Sequence, residues 1–268
     1  IDSTSSASKV NLNKERIYNF LTAIQSTVEK SNEKKKIKIL FREVHDNFFK
    51  KYELDSYFGD VFDSATYNCV TASALYAYIF DWFDIPYQIK ETPTHVFIVA
   101  YPKSHNIYVE TTIPGKGGSY VPSEALMKRA VDELIDLKMI TSQQVGRDGY
   151  TKTFNDYYYG DENISKRDLI GIQYYNKSIS LLNQEKYYEA YWSILKAGFF
   201  YEKEKARLLS DSILFIAVEN TDFEKLENFE WFLELARVIK DIDFLKYKLL
   251  KISSAISTDG ASPGLNTL

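Results

Sequence analysis

The chain has 268 residues, a formal net charge of -4 and an apolar content of 45%. This length accommodates one large domain or two of ordinary size, with two preferred, and the composition is that of a folding globular chain. The negative charge and the interleaving of basic with acidic side chains argue against nucleic acid as a partner. The sequence contains no run of about 18 apolar residues, so no membrane span is predicted.

Residues 1–12 are predicted to form a flexible leader. The chain begins without Met and its first residues are rich in Ser, as in a segment left after removal of a signal, so a periplasmic or secreted location is slightly favoured over a cytoplasmic one. Apolar residues then recur at helical spacing from Ile17 to Val28 and from Ile37 to Phe48. Two amphipathic helices are therefore predicted before the cysteine.

Cys69 is the only cysteine, so it cannot form an internal disulfide. No paired Cys or His spacing indicates a zinc site, and we expect no metal or other cofactor. Asn68 or Thr66 is the expected N-cap of a buried helix over residues 70–83, which is apolar nearly all round. A thiol at a helix start has a lowered pKa, and the N–H of Cys69 or Val70 could donate to an oxyanion.

Three strands are predicted after this helix, over residues 87–91, 94–100 and 107–111. A helix followed by an antiparallel sheet is an α+β pattern. A four-residue loop, 101–104, places His95 directly opposite Glu110 on the neighbouring strand. Opposed Cβ atoms lie about 4.5 to 5.5 Å apart, so the carboxylate could hold one ring nitrogen while the other faces the Cys69 sulfur.

Cys69, His95 and Glu110 follow one another along the chain in the order nucleophile, base and the group that orients the base. Each residue alone has an ordinary explanation, as a small core residue, a hydrogen-bonded histidine or a solvent-facing carboxylate. Their conjunction favours a catalytic triad that performs thiol-dependent acyl transfer on an amide or peptide. His45 and His105 lack such partners and are interpreted as surface or local structure.

A polar, weakly periodic region runs from residue 113 to about residue 162, and a domain junction is expected near Ser165. The chain beyond it is predicted to be helical over residues 169–183, 187–200, 203–218, 223–239 and 244–256. The turn around residues 183–186 is similar to that of a tetratricopeptide unit. A tetratricopeptide-like helical domain is thus expected over residues 165–257, followed by a disordered tail over residues 258–268.

Four segments carry a resemblance to a known family: YNCVTASALY at 67–76, IP at 85–86, TPTHVF at 92–97 and VETT at 109–112. They resemble bacterial transglutaminase-like proteins of the papain-like superfamily, which often carry tetratricopeptide repeats behind the core. The resemblance implies a papain-like fold over residues 13–164, with a central helix packed on an antiparallel sheet. It also implies that Cys69 is the nucleophile and His95 the general base, with Glu110 in a position more usually held by Asp.

Two functions stay open. One is a cysteine-dependent enzyme, either a peptidase or amidase or a transglutaminase-like enzyme. The other is a noncatalytic scaffold, in which the core is retained as a fold and the helical repeats bind a protein partner. A peptide or protein is the expected substrate or partner in both cases, and the sequence does not indicate the oligomeric state.

Overall fold

The computed structural model of the chain describes residues 6–92, 95–111, 118–120, 122–158, 163–220 and 229–259. The chain divides into two compact units, Ile1–Gln173 and Tyr174–Leu268. A helix that begins at Lys166 spans this boundary. The boundary therefore lies inside a helix, a few residues after the junction predicted near Ser165.

The first unit combines helices with two small sheets. Its helices are α1 (Ala7–Glu29), α2 (Glu33–Phe48), α3 (Asp60–Asp63), α4 (Cys69–Trp82), α5 (Glu124–Asp136), α6 (Ser142–Asp148) and α7 (Tyr150–Tyr158). Its strands are β1 (Lys51–Tyr52), β2 (Thr66–Tyr67), β3 (Tyr87–Glu91), β4 (Val96–Ala100), β5 (Ile107–Glu110) and β6 (Gly118–Tyr120). Strands β1 and β2 pair in parallel, and the other four form an antiparallel sheet in the order β3-β4-β5-β6. The α+β class is confirmed.

The two amphipathic helices predicted before the cysteine are confirmed as α1 and α2. Helix α1 begins earlier than expected, because the Ser6 side chain accepts a hydrogen bond from the N–H of Lys9 and caps the first turn. Residues 7–12 are helical, so the prediction of a flexible leader over residues 1–12 is wrong for them. Residues 1–5 lie outside the described residues.

The turn between β4 and β5 is longer than predicted. Ala100 pairs with Ile107, so residues 101–106 form the loop. Tyr101 and Asn106 both adopt left-handed backbone angles, with φ of 51° and 48°. The carbonyl of Tyr101 accepts hydrogen bonds from the N–H groups of residues 104, 105 and 106, which closes this wider turn. The four-residue loop expected from the sequence is therefore wrong.

The wider turn shifts the strand register by two residues. Ile98 pairs with Val109, and the same register carried one step further puts Glu110 opposite Phe97 rather than His95. The predicted direct opposition of His95 and Glu110 is therefore wrong. Side chains alternate with a period of two along a strand, so a shift of two residues leaves His95 and Glu110 on the same face.

Helix α4 is the central buried helix of the first unit. Nine of its fourteen residues are buried, and it packs along β3 and β4. The Ser73 hydroxyl donates to the carbonyl oxygen of Val96 at 3.4 Å. The helix that begins at Cys69 is thus fastened to the strand that begins beside His95.

The region between β6 and the helix that begins at Lys166 contains three helices that were not predicted. Helices α5, α6 and α7 share a small core of Val131, Val145 and Phe154. Tyr158 at the end of α7 packs against that core and also against a cluster on the sheet formed by Phe97, Val99 and Tyr108. The sequence indicated only a polar, weakly periodic region over residues 113–162 and did not predict these helices.

The second unit is helical throughout its described part. Its chain continues from α8 (Lys166–Asn183) into α9 (Tyr187–Phe200), α10 (Glu204–Asn220), α11 (Phe229–Val238) and α12 (Ile242–Asp259). These bounds agree with the helices predicted from periodicity, although residues 223–228 of the fourth and residues 260–268 of the tail lie outside the described residues. Residues 258 and 259, assigned to a disordered tail, are helical. Within the described ranges, no helix has the length and hydropathy that a membrane crossing requires.

Candidate active site

The start of α4 is fixed by a capping box around Asn68. Its side-chain oxygen accepts hydrogen bonds from the N–H groups of Val70 at 3.1 Å and Thr71 at 3.0 Å. The Thr71 hydroxyl accepts in return from the N–H of Asn68 at 2.9 Å. The sequence left Asn68 and Thr66 open as caps, and the structure assigns the role to Asn68. Cys69 is consequently the first residue of the helix.

The same asparagine fastens the preceding loop to the helix. Its side-chain amide donates to the carbonyl oxygens of Leu54 at 2.8 Å and Ser56 at 2.9 Å. The neighbouring Tyr67 ring stacks on Phe49, with their centroids 4.5 Å apart. Asn68 is 4% exposed and its amide is fully used. The backbone next to Cys69 is thus hydrogen-bonded through Asn68 both to the helix that follows and to the loop that precedes it.

The Cys69 thiol is partly buried and its pKa is lowered. Burial alone would raise this pKa, because the thiolate loses its hydration. Interaction with the His95 ring outweighs that effect, with further help from the N–H groups of Val96 and Val70. Cys69 therefore ionises more readily than an ordinary cysteine, as expected for a nucleophile.

His95 stands immediately before β4 and exchanges two backbone hydrogen bonds with Thr92. The Thr92 N–H donates to the carbonyl oxygen of His95 at 2.7 Å, and the His95 N–H donates to that of Thr92 at 3.3 Å. The imidazole lies parallel to the Phe97 ring. Burial lowers the pKa of the imidazole, but its interactions with Cys69 and Glu110 raise that pKa to about 9. At neutral pH the ring is thus an imidazolium beside a thiol that ionises readily.

Glu110 ends β5 and is 6% exposed. Its Oε2 atom lies 3.6 Å from His95 Nε2 and accepts a hydrogen bond from the Tyr108 hydroxyl at 3.0 Å. A separation of 3.6 Å is an ion-pair distance rather than a hydrogen bond, and Nε2 has no hydrogen-bond partner among the described residues. Since Nε2 faces the carboxylate, Nδ1 is the ring nitrogen left for the sulfur. The structure thus brings together all three residues that the sequence selected.

Two backbone N–H groups were predicted as alternatives for an oxyanion site. The Val70 N–H donates to the Asn68 side chain in the helix cap and also acts on the Cys69 sulfur, so it already has two acceptors. The N–H of Cys69 is the first of the helix, where no intrahelical acceptor exists. It has no acceptor elsewhere in the described part of the chain. Of the two, Cys69 is the one that can donate to a negative oxygen.

The other two histidines have partners of their own, away from a nucleophile. His45 Nδ1 lies 2.9 Å from the carbonyl oxygen of Phe41 and 3.4 Å from the Tyr76 hydroxyl, and burial lowers the pKa of its ring. His105 Nε2 lies 2.9 Å from Glu33 Oε2 on the surface. Local structure for His45 and a surface position for His105 agree with the sequence interpretation.

A feature that was not predicted from the sequence lies in the second unit. Between α9 and α11 there is an open groove of about 450 Å³, lined by Tyr188, Tyr191, Trp192, Glu230, Trp231, Leu233, Glu234 and Arg237. Tyr188 and Trp192 are 59% and 48% exposed, which is high for large aromatic side chains. Their spacing of four residues on an otherwise apolar helix was the signal in the sequence.

No family model matches the sequence, and neither a curated protein nor a solved structure matches the chain. The site is therefore interpreted from its own geometry. Among the residues that the structure describes, no group of three or more His, Cys, Asp or Glu side chains is placed to hold a metal ion.

Proposed function

We propose that the chain is a cysteine-dependent enzyme that transfers or hydrolyses acyl groups of an amide or peptide through Cys69, His95 and Glu110. The observation that carries this proposal is the pairing of a thiol at a helix start with a buried imidazole. The pKa of the thiol is lowered and that of the imidazole is raised to about 9. A thiolate beside an imidazolium at neutral pH is the resting state of an activated cysteine nucleophile.

In the proposed reaction, the Cys69 thiolate attacks the carbonyl carbon of the substrate. The carbonyl oxygen becomes negative and accepts a hydrogen bond from the N–H of Cys69. The C–N bond then breaks as the His95 imidazolium gives its proton to the leaving amine, which leaves a thioester on Cys69. Water, or an amine in transamidation, attacks the thioester while His95 takes up its proton, and the thiolate leaves.

Glu110 stabilises the imidazolium in this scheme. Diagonal neighbours on adjacent strands are separated by about 7 to 8 Å, farther than directly opposed residues. A glutamate reaches one methylene farther than an aspartate. This extra reach accounts for a Glu at position 110, given that the register puts it diagonal to His95.

We further propose that the first unit is a transglutaminase-like, papain-like core and that the second is a tetratricopeptide-like array. A buried helix that begins with Cys69 and packs on an antiparallel sheet carrying His95 and Glu110 supports the first part. The consecutive packing of α9, α10 and α11 supports the second. The array would hold a peptide or protein substrate. Hydrolysis is preferred over transamidation because water is the more abundant acceptor.

A second candidate is a noncatalytic scaffold that binds a protein partner. The exposed aromatic groove between α9 and α11 favours it, since exposed aromatic side chains are enriched where proteins bind one another. In that case the core would be retained for its fold. Cys69 would then behave as an ordinary thiol.

Both candidates are tested by acyl-enzyme formation. The wild type is incubated with a panel of chromogenic thioesters and peptide amides, and the adduct is located by mass spectrometry after acid quench. We expect a covalent acyl group on Cys69 that is absent from Cys69→Ala and slow to form in His95→Gln. The surface variant His105→Gln serves as the matched control and should react like the wild type. Failure of every substrate to acylate the wild type, together with an inert thiol, would favour the scaffold.

A further inference from the structure

We infer that Tyr108 is a positioning residue of this site, whose hydroxyl holds the Glu110 carboxylate where it acts on His95. This role rests on the proposed function, since it concerns the same constellation. Tyr108 would touch neither the substrate nor the reacting atoms. It would act through the carboxylate alone.

The geometry of the three side chains carries the inference. The Tyr108 hydroxyl donates to Glu110 Oε2 at 3.0 Å, and this is the same oxygen that lies 3.6 Å from His95 Nε2. Tyr108 and Glu110 are two residues apart on β5, so both side chains leave the strand on one face. The hydrogen bond therefore fixes the carboxylate oxygen that faces the imidazole.

A glutamate needs such an anchor more than an aspartate does. Its longer side chain has one more rotatable bond, and ordering it costs more conformational entropy. Both partners are buried, with Tyr108 at 7% and Glu110 at 6% exposure. A hydrogen bond to a charged group in such surroundings is stronger than one between neutral groups.

Tyr108 is itself held rigidly, so it can act as an anchor. Its ring centroid lies 4.5 Å from that of Phe97 and 5.3 Å from that of Tyr120, on the strands to either side. Tyr120 is its direct partner on β6. Burial also raises the pKa of the Tyr108 hydroxyl well above its usual range, so the hydroxyl keeps its proton and remains a donor.

Tyr120 supplies a matched control on the same face of the sheet. It stacks on Tyr108 and lies close enough to the Glu110 charge for its own pKa to be raised, but burial is the main cause of that shift. In the described structure it makes no hydrogen bond to the carboxylate. Tyr120→Phe thus removes a nearby hydroxyl without removing the anchor.

The experiment compares Tyr108→Phe with Tyr120→Phe by two readouts that need no substrate. One is the rate of Cys69 alkylation as a function of pH, and the other is the titration of the His95 ring by nuclear magnetic resonance. We expect Tyr108→Phe to slow alkylation at pH 7 by about tenfold or more, the effect of losing one charge-assisted hydrogen bond, and to lower the apparent pKa of His95. Tyr120→Phe should stay within about twofold of the wild type.

A double-mutant cycle separates positioning from general packing. In a Glu110→Gln background, Tyr108→Phe should cause no further change in either readout, because the group that it positions is no longer charged. An equal loss in both backgrounds would overturn the inference. If Tyr108→Phe folds poorly, 3-fluorotyrosine at position 108 replaces it, because this residue keeps the ring and changes the strength of the hydroxyl donor. An unchanged His95 titration in the 3-fluorotyrosine protein would also overturn the inference.

The two readouts keep this inference apart from the proposed function. If Cys69 is inert in the wild type while Tyr108→Phe still shifts the His95 titration, the proposed function falls and the positioning role stands. If Cys69 is activated by His95 but Tyr108→Phe leaves both readouts unchanged, the positioning role falls and the proposed function stands.

Discussion

His95 Nε2 lies 3.6 Å from Glu110 Oε2, although the register of β4 and β5 places the two residues diagonally rather than opposite each other. The ion pair is formed by the reach of the glutamate side chain across that diagonal. Burial lowers the pKa of His95, and the interactions of the ring with Cys69 and with Glu110 together raise it. The charge state of the candidate base therefore depends in part on the length of the Glu110 side chain.

Shortening that side chain should weaken the pair. Glu110→Asp withdraws the carboxylate from His95, so the imidazolium is less stabilised and the thiol less acidic. We expect Cys69 alkylation at pH 7 to slow about fivefold, as for the loss of about 1 kcal/mol. Glu33→Asp, which alters a surface carboxylate paired with His105, is the control and should leave the rate unchanged. If Glu110→Asp reacts at the wild-type rate, the length of the Glu110 side chain is not what brings its carboxylate to His95.

The protonation of His95 should also appear in the stability of the fold. Its pKa is about 9 in the folded chain against 6.5 ordinarily, so the folded state binds the proton more tightly than the unfolded state. The resulting stabilisation is fully present below pH 6.5 and is lost as the pH rises through about 9. The difference in free energy of unfolding between the wild type and His95→Gln, measured in urea, should shrink over this range. If the difference in free energy of unfolding grows with pH instead, the pKa of His95 is lowered by folding rather than raised.

The cap of α4 should cost more to remove than an ordinary cap. Asn68→Ala removes the two hydrogen bonds that its oxygen accepts and the two that its amide donates to the carbonyl oxygens of Leu54 and Ser56, so we expect a loss of about 2 to 4 kcal/mol. Asn32 caps α2 on the surface and accepts from the N–H of Lys35 alone. Asn32→Ala should cost about 1 kcal/mol. Equal losses in chemical denaturation would refute the special role of Asn68.

The second unit contains a buried cation that offers an independent stability test. The Lys248 side chain is 8% exposed and pairs with Glu219, whose side chain is 37% exposed. Glu219→Gln leaves the lysine buried without its counter-charge, and we expect a loss of about 1 to 3 kcal/mol. The exposed pair of Lys246 and Asp243 gives the control, since Asp243→Asn should cause no measurable change. Thermal unfolding of both variants distinguishes them, and similar melting temperatures would count against a buried pair.

The sequence predicted the helices best where apolar spacing is regular. Helix α4 has the expected cap in Asn68, whereas α9 runs over the predicted residues 187–200 although no side chain caps its first turn. The first turns of α1 were missed because their two large apolar residues, Val10 and Leu12, are two apart and not at helical spacing; both are exposed in the structure. Helices α5 to α7 were missed because each buries only one or two residues, which leaves a weak apolar period.

The candidate triad could be selected from the sequence, but its geometry could not. Strand register depends on the length of the turn. The left-handed conformations of Tyr101 and Asn106, which widen this turn, were not predicted from the sequence. The error in register was two residues, and a shift of two leaves a side chain on the same face of the sheet. For this reason His95 and Glu110 are still close to each other. Tyr108 and Glu110 are two residues apart on β5, so a strand places them on one face, but the spacing alone does not indicate that the hydroxyl and the carboxylate form a hydrogen bond.

The pH dependence of Cys69 alkylation, in the wild type beside His95→Ala, tests the central claim most directly. An activated nucleophile predicts that the wild-type thiol ionises below its ordinary range and that His95→Ala loses this property, because the imidazolium is what outweighs the burial of the sulfur. A wild-type thiol that reacts slowly and titrates alike in both proteins would contradict the claim that Cys69 and His95 form a catalytic pair.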